Sequence, residues 1–304
     1  MWNMGDGDWI KYGWGKDMST SYTRGDLLQI DLLSDLESIA NTGSLQAAIN
    51  AVNRIVKTCP PPYILMCSGG VDSQAMAWAW YMSKHPFRIV SFKYVSNGIW
   101  FNEHDTLSLI EFSTMHNISI HFIDFDVITF LENKLQEEVM KYDCDSPQIC
   151  THIQFIEYFN EGTLIFSGNT IDATGAILSY TLLGLHRAAI AKTHSLLKII
   201  PFFFLHTPEL AYSLRQGHIT KNDCYSFSGY PIVRPPAKFT GFEKIKEWYD
   251  IFTDRVPSKT KWRYGNRGSH RIFDLLFRHP YQSMIGDGKY QAETVQQYYK
   301  DKYL

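Results

Sequence analysis

The chain has 304 residues, a formal net charge of −2, 45% hydrophobic residues and 20% charged residues. This composition is typical of a globular protein with a substantial core, and it excludes an intrinsically disordered chain. The near-neutral charge also excludes a globally basic nucleic-acid-binding protein, although local basic patches remain compatible with it.

Cysteine usage indicates a reducing compartment. The five cysteines are odd in number and include no C-x-x-C pair, which argues against a disulfide framework and a four-cysteine zinc site. The first residues form neither a basic nor an apolar signal region, and the most apolar run, residues 196–205, is too short to span a bilayer. We therefore expect a cytoplasmic protein without a membrane segment.

The N-terminal part is predicted to be irregular before the first helix. Residues 1–33 are rich in Gly, Asp, Trp and Tyr and are predicted to be loop, with a short hairpin as the alternative. Ser44 is expected to cap a helix over residues 45–57, whose apolar residues recur at helical spacing. Three prolines end that helix and start the next region. The predicted domains are 1–60, 61–207 and 208–304.

Strands and helices alternate through the second of these domains. The predicted strands are residues 63–67, 88–95, 118–123 and 163–167. The predicted helices are residues 72–83, 102–115 (with Asn102 as the cap), 127–141 and 173–192. Alternation of this kind predicts an α/β fold, a parallel twisted sheet with helices on both faces. The third domain is expected to be smaller and mostly helical, with helices at 210–214 and 241–252.

The most informative segment joins the first predicted strand to its helix and reads Ser68-Gly69-Gly70-Val71-Asp72-Ser73. A tight glycine turn there places backbone N–H groups and a helix N-terminus around an anion. Gly69 and Gly70 allow a close approach, and Ser68 and Ser73 add hydroxyl donors. Asp72 alone would repel a phosphate, but it suits a hard cation such as Mg²⁺ beside one. The alternative is a turn that binds nothing.

A second loop follows the fourth predicted strand and reads Ser167-Gly168-Asn169-Thr170-Ile171-Asp172. Sequential βα order places it at the same edge of the sheet as the first loop. Gly168 permits close approach, Asn169 can donate and accept hydrogen bonds, and Asp172 could be a second Mg²⁺ ligand or a substrate contact. Taken alone, such a turn is more often structural.

The first loop resembles the PP-loop signature SGGxDS of the ATP pyrophosphatases, and the chain contains no Walker A pattern. The resemblance implies an adenine nucleotide alpha hydrolase-like fold and cleavage of ATP between its α- and β-phosphates. AMP would pass to a substrate oxygen while pyrophosphate leaves. It also implies ATP and Mg²⁺ as cofactors, with the metal held by Asp72 and Asp172.

The same resemblance assigns roles to further positions. The nucleotide would be bound by Ser68, Gly69, Gly70, Val71, Asp72, Ser73, Phe92, Gly168 and Asn169. The adenine would lie across the second strand, where the backbone near Phe92 can read the base edge. The catalytic candidates are Asp72, Ser73, Arg187 and Lys192, with Lys198 as a further cation to meet the leaving pyrophosphate. A solvated helix face is the alternative explanation of these cations.

Two groups of PP-loop enzymes are similar in more than the first loop. G-N-x-x-D at residues 168–172 resembles the second motif of 7-cyano-7-deazaguanine synthases, and residues 200–202 and 207–210 resemble their proline-containing loop and next helix. The cysteine-rich zinc ribbon of that family is absent, since Cys224 stands alone. Asparagine synthetases share SGGVDS, but Trp2 stands where their nucleophilic cysteine follows the first methionine. The C-x-x-C pair of many tRNA thiolases is also missing.

The function favoured by the sequence is ATP-dependent adenylation of a carboxylate or carbonyl oxygen, followed by attack of an amine or ammonia. The expected substrate is a small molecule or a nucleobase precursor. The alternatives are base modification on a nucleic acid and a non-catalytic ATP-binding module; a homo-oligomer is compatible with each. The segment from Arg255 to His279 carries seven Lys or Arg against one Asp, with interleaved aromatic residues. It suits a polyanionic ligand such as a nucleic acid. The alternatives are a solvated basic tail, which is slightly favoured, and a tail that closes over bound ATP.

Overall fold

The computed structural model describes residues 2–3, 10–14, 17, 27–32, 43–69, 71–96, 98–100, 102–142, 147–167, 196–215 and 224–226. The strands described are β1 (Trp2–Asn3), β2 (Ile10–Trp14), β3 (Leu27–Leu32), β4 (Tyr63–Met66), β5 (Arg88–Ser96), β6 (Ile99–Trp100), β7 (Ile120–Asp126), β8 (Gly162–Phe166), β9 (Leu197–Ile200) and β10 (Cys224–Ser226). The α-helices described are α1 (Ser44–Thr58), α2 (Val71–Ser83), α3 (Glu103–His116), α4 (Val127–Asn133), α5 (Leu135–Tyr142), α6 (Pro147–Ile156) and α7 (Pro208–Arg215). A 3-10 helix covers Phe203–Leu205.

The main sheet is parallel and has the strand order β7-β5-β4-β8-β9. The short β6 pairs with the end of β5 in antiparallel orientation. Every residue of β4 and of β8 is buried, as expected for central strands of a sheet covered on both faces. The α/β fold with a parallel sheet that the sequence predicts is therefore confirmed.

Helices cover both faces of this sheet. On one face α1, α2, α3 and α7 share a continuous core with alternate residues of the strands. Here α2 lies in the middle and is buried from Ser73 to Trp80, while Ala47, Ala48 and Ala51 of α1 have no exposed surface and allow α1 to pack closely on α2. On the other face α6 packs against β5, because the Phe155 ring stacks on the Phe92 ring with 3.3 Å between centroids.

The amino ends of β4 and β8 are locked together by the proline segment before β4. Thr163 donates from its backbone N to the Pro62 carbonyl at 2.9 Å and from its hydroxyl to the Pro60 carbonyl at 2.7 Å. Gly162 has φ +88°, and a Cβ at this position would collide with the Pro62 carbonyl oxygen. A glycine is therefore required there, both for its backbone angle and for space.

A second, antiparallel sheet has the order β1-β2-β3-β10. Three of its strands lie within residues 1–33, so this segment contains more regular structure than the predicted loop or short hairpin. Its fourth strand, β10, comes from the region that was expected to be mostly helical. The domain boundaries at 60 and 207 stay predictions.

Several element predictions were wrong in detail. Ser44 is the first residue of α1 rather than its cap, which is Gly43 at φ +78°. The helix expected over 127–141 is two helices separated at Lys134. The elements α6 and β9 were not predicted, and the helices expected at 173–192 and 241–252 lie outside the described residues. Within the described chain, no helix combines the length and the apolarity needed to cross a bilayer.

Candidate functional site

The candidate site lies where the strand order of the main sheet reverses. From β4 the chain moves outward through β5 to β7, and it then returns to place β8 on the other side of β4, followed by β9. The carboxyl ends of β4 and β8 therefore flank a topological switch point, which is where open α/β sheets bind ligands. Met66 and Phe166 are register partners at the ends of these two strands. The two predicted loops thus leave the sheet from adjacent positions, as the sequence predicts.

The first loop is held by contacts on both of its sides. The Cys67 backbone N donates to the Val90 carbonyl of β5 at 2.9 Å, which extends the sheet by one residue. The Cys67 Sγ donates to the Ser73 carbonyl at 3.7 Å. Ser68 is exposed and Gly69 is buried with φ +81°, a conformation that favours glycine. The described part of the loop, from Cys67 to Gly69, is therefore held in place shortly before α2.

Gln74 is a site residue that the sequence analysis missed. Its Nε2 donates to the Gly69 carbonyl at 2.6 Å, and only 2% of its surface is exposed. The bond ties the turn to the first turn of α2 and engages the carbonyl of Gly69, a group that would repel a phosphate if it faced one. A polar residue directly before the apolar stretch of α2 was the one sequence signal for it.

The predicted residues of the first loop are placed differently from one another. Ser68 is open to solvent, whereas Ser73 is 2% exposed in the first turn of α2. The backbone of Val71 and Asp72 begins α2, but their side chains and all of Gly70 lie outside what the structure describes. The roles of Asp72 in metal binding and catalysis therefore stay predictions.

The second loop begins at Ser167, directly after β8. The Ser167 carbonyl accepts a hydrogen bond from the Phe204 backbone N at 3.4 Å. The proline-containing segment after β9 therefore reaches the same edge of the sheet. The remaining predicted residues of this region lie outside the described residues: Gly168, Asn169, Asp172, Arg187 and Lys192.

One cation candidate is placed away from the loops. Lys198 is exposed and pairs in register with Thr163, near the amino end of β9. The loops leave from the carboxyl ends of the strands, so Lys198 lies at the wrong edge of the sheet to meet a leaving pyrophosphate. Exposure to solvent is enough to explain a lysine at this position.

The Asn102 side chain occupies the edge of β5 that was expected to face the base. The Phe92 ring is 2% exposed and stacks on Phe125 and Phe155, so it does not form a platform for a base. The Phe92 carbonyl accepts a hydrogen bond from Asn102 Nδ2 at 2.9 Å, and the Tyr94 backbone N donates to Asn102 Oδ1 at 2.8 Å. Asn102 was expected to cap α3, yet its side chain makes no capping bond.

Metal and thiol chemistry find little support among the described side chains. No cluster of three His, Cys, Asp or Glu residues that could hold a metal occurs in that part of the chain. Cys59, Cys67 and Cys150 do not form disulfides, and burial raises the pKa of the Cys67 thiol well above its usual value. Cys67 therefore stays protonated and is a poor nucleophile, although it lies next to the first loop.

A cavity of about 690 Å³ lies at the opposite, amino-terminal edge of the sheet. Its lining includes Ile64, Arg88, Val90, His121 and Glu161. The cavity is separated from the two loops by the length of the strands. It is therefore not part of the candidate site.

Comparisons with known proteins leave the family open. No protein-family model matches the chain, and no curated protein matches it. Among solved structures, the chain is similar to the U34-tRNA thiolase NcsA from Methanococcus maripaludis, a structure that contains a 4Fe-4S cluster. The similarity covers 76% of this chain and 80% of that chain, with 15% sequence identity and a TM-score of 0.35.

Proposed function

We propose that this protein binds ATP with Mg²⁺ at the carboxyl edge of its parallel sheet and cleaves it between the α- and β-phosphates. The observation that carries the proposal is the position of the loop from Ser68 to Ser73. It joins β4 to α2 at the switch point between β4 and β8. The six matched residues of the signature thus lie where an α/β sheet binds phosphates.

The loop is built to present N–H groups to an anion. The N-terminal N–H groups of a helix have no partner within the helix, and the N-terminus of a helix carries about half a positive charge. Gly69 and Gly70 leave room for a phosphate, and Gln74 holds the Gly69 carbonyl. Asp72, together with Asp172 after β8, would hold the Mg²⁺ that offsets the charge of the triphosphate.

The proposed reaction has two steps. A carboxylate or carbonyl oxygen of the substrate attacks the α-phosphorus, the α–β bridge breaks, and pyrophosphate leaves with the electron pair. An amine or ammonia then attacks the carbon bonded to the adenylated oxygen, the C–O bond breaks, and AMP leaves with that oxygen. Arg187 and Lys192 are the candidates to meet the charge that develops on the departing pyrophosphate.

Product analysis tests this function. Purified protein is incubated with Mg²⁺ and ATP labelled at the α-position, with either a small-molecule fraction or an RNA fraction of a cell extract as the acceptor source. We expect labelled AMP and equimolar pyrophosphate with one of the two fractions, and Asp72→Asn protein supplies the matched control. If AMP forms with the RNA fraction and not with the small-molecule fraction, the protein modifies a nucleic acid and is not a small-molecule ligase.

Two results would contradict the proposal. Release of ADP and orthophosphate without AMP would assign the chain to another class of ATP-using protein. Tight ATP binding without turnover in either fraction would identify a nucleotide-binding module that does not catalyse.

A further inference from the structure

The strand β5 has a gap in its pairing at the carboxyl edge of the sheet. β4 pairs with β5 only as far as Val90, and β6 pairs with β5 from Val95 onward. Between these points the Asn102 carboxamide donates to the Phe92 carbonyl and accepts from the Tyr94 N–H. In a parallel sheet one backbone residue of the neighbouring strand would make both bonds. The side chain therefore replaces one residue of backbone in the gap.

The same pair of backbone groups suits the edge of a nucleobase. An adenine ring carries an N–H donor on N6 next to an acceptor at N1. These two groups are spaced like the N–H and the carbonyl oxygen of a carboxamide. A base in this gap would donate to the Phe92 carbonyl and accept from the Tyr94 N–H, as Asn102 now does. The base and the carboxamide therefore compete for one site, because the single Tyr94 N–H can donate to only one of them at a time.

The N-terminus of α3 offers Asn102 a second set of partners. Asn102 is the N-cap residue of α3, with φ −105° and ψ 23°, and its side chain does not bond to the helix. An Asn at this position ordinarily accepts from an N–H of the first helical turn, which stabilises a helix by about 1 kcal/mol. If the side chain rotates and ψ of Asn102 moves toward the extended value, the carboxamide leaves the β5 backbone and bonds to an N–H at the N-terminus of α3.

We propose that Asn102 is a switch, which fills the Phe92–Tyr94 gap in the empty protein and moves to cap α3 when the base of a nucleotide takes its place. This inference rests on the proposed function and adds a determinant of nucleotide affinity. Trp100 holds the resting position, because its Nε1 donates to Asn102 Oδ1 at 2.8 Å. Asn102 is 5% exposed, so its side chain closes the gap to water.

Calorimetric titration of the full-length protein tests the switch. The ligands are Mg-ATP and Mg-tripolyphosphate, which offers phosphates without a base. Asn102→Ala should bind ATP about tenfold more tightly than wild type, because the base no longer displaces two or three hydrogen bonds that are partly regained at α3. Trp100→Phe removes one bond to Oδ1 and should bind ATP about threefold more tightly. Tripolyphosphate affinity should stay within about twofold in both variants, because the phosphates do not contact the gap.

Each outcome decides one of the two proposals. If folded Asn102→Ala protein binds ATP with wild-type or lower affinity while tripolyphosphate binding is unchanged, Asn102 is a permanent part of the sheet and the switch is wrong. If Asn102→Ala protein does not fold, Trp100→Phe decides in the same way. If wild-type protein binds neither ligand, the proposed function is wrong and the switch is wrong with it.

Discussion

Gln74→Met is the change that most directly probes how the first loop is built. In the wild-type protein Gln74 Nε2 donates to the Gly69 carbonyl at 2.6 Å, and both residues are buried. Methionine has nearly the same length and volume, so it preserves the packing of α2, but it has no hydrogen-bond donor. The substitution therefore removes this contact while leaving the core almost unchanged.

The expected size of the effect follows from the burial of this bond. Removing one partner of a buried hydrogen bond lowers the free energy of unfolding by ~1–3 kcal/mol. A domain of roughly 150–250 residues loses about 2–4 °C in Tm per kcal/mol, so Tm should fall by about 2–12 °C. ATP affinity should also fall by about tenfold, because the loop is no longer held with its N–H groups toward the phosphates.

Circular dichroism gives the Tm, and calorimetric titration with Mg-ATP gives the affinity. Gln46→Met is the matched control, since Gln46 Nε2 donates to Asn50 Oδ1 at 3.0 Å on the exposed face of α1. The same exchange there should change stability by less than about 0.5 kcal/mol. Wild-type Tm and wild-type ATP affinity in Gln74→Met protein would refute the account of this loop.

Four further changes test other parts of the account. Asp72→Asn should leave Tm nearly unchanged and lower AMP formation by about 10²-fold or more, and full activity would limit Asp72 to a helix-end role. Gly162→Ala should lower the free energy of unfolding in urea by at least ~2 kcal/mol because of its positive φ and the collision with Pro62, and a wild-type midpoint would contradict this. Burial lowers the pKa of His152 from 6.5 to about 4, so the unfolded chain binds a proton that the folded protein does not, and stability should fall as pH drops from about 6.5 to 4. The loss has an upper limit of ~3.4 kcal/mol, and a His152→Gln variant with an unchanged pH slope would exclude this origin. Replacing the arginines of residues 255–279 by alanine should weaken RNA binding in a salt-dependent way, and unchanged affinity would leave a solvated tail.

The central elements could be predicted because their signals are local in sequence. The apolar run of β4, the two glycines after it and the apolar stretch of α2 stand next to one another. By contrast, β9 is four residues long and includes the exposed Lys198, so it becomes recognisable as a strand only through its pairing with β8. The break between α4 and α5 was also hidden, because the helical spacing of apolar residues continues across Lys134.

The candidate site was predictable in its position but not in its supporting contacts. The strand–turn–helix order placed the first loop at the carboxyl edge of the sheet, as the structure confirms. Which carbonyl a side-chain amide reaches depends on how elements pack, and no local pattern encodes it. Gln74 was therefore missed, and Asn102 was assigned to the end of α3 instead of the edge of β5.

The central claim is that the loop from Ser68 to Ser73 binds the phosphates of a nucleotide at the switch point between β4 and β8. A crystal structure with Mg²⁺ and α,β-methylene-ATP, which resists cleavage at the α–β bridge, tests it most directly. We predict a triphosphate over this loop at the N-terminus of α2, in contact with the backbone N–H groups of Gly69 and Gly70. A nucleotide bound elsewhere, for instance in the cavity at the amino-terminal edge, with this loop empty, would contradict the claim.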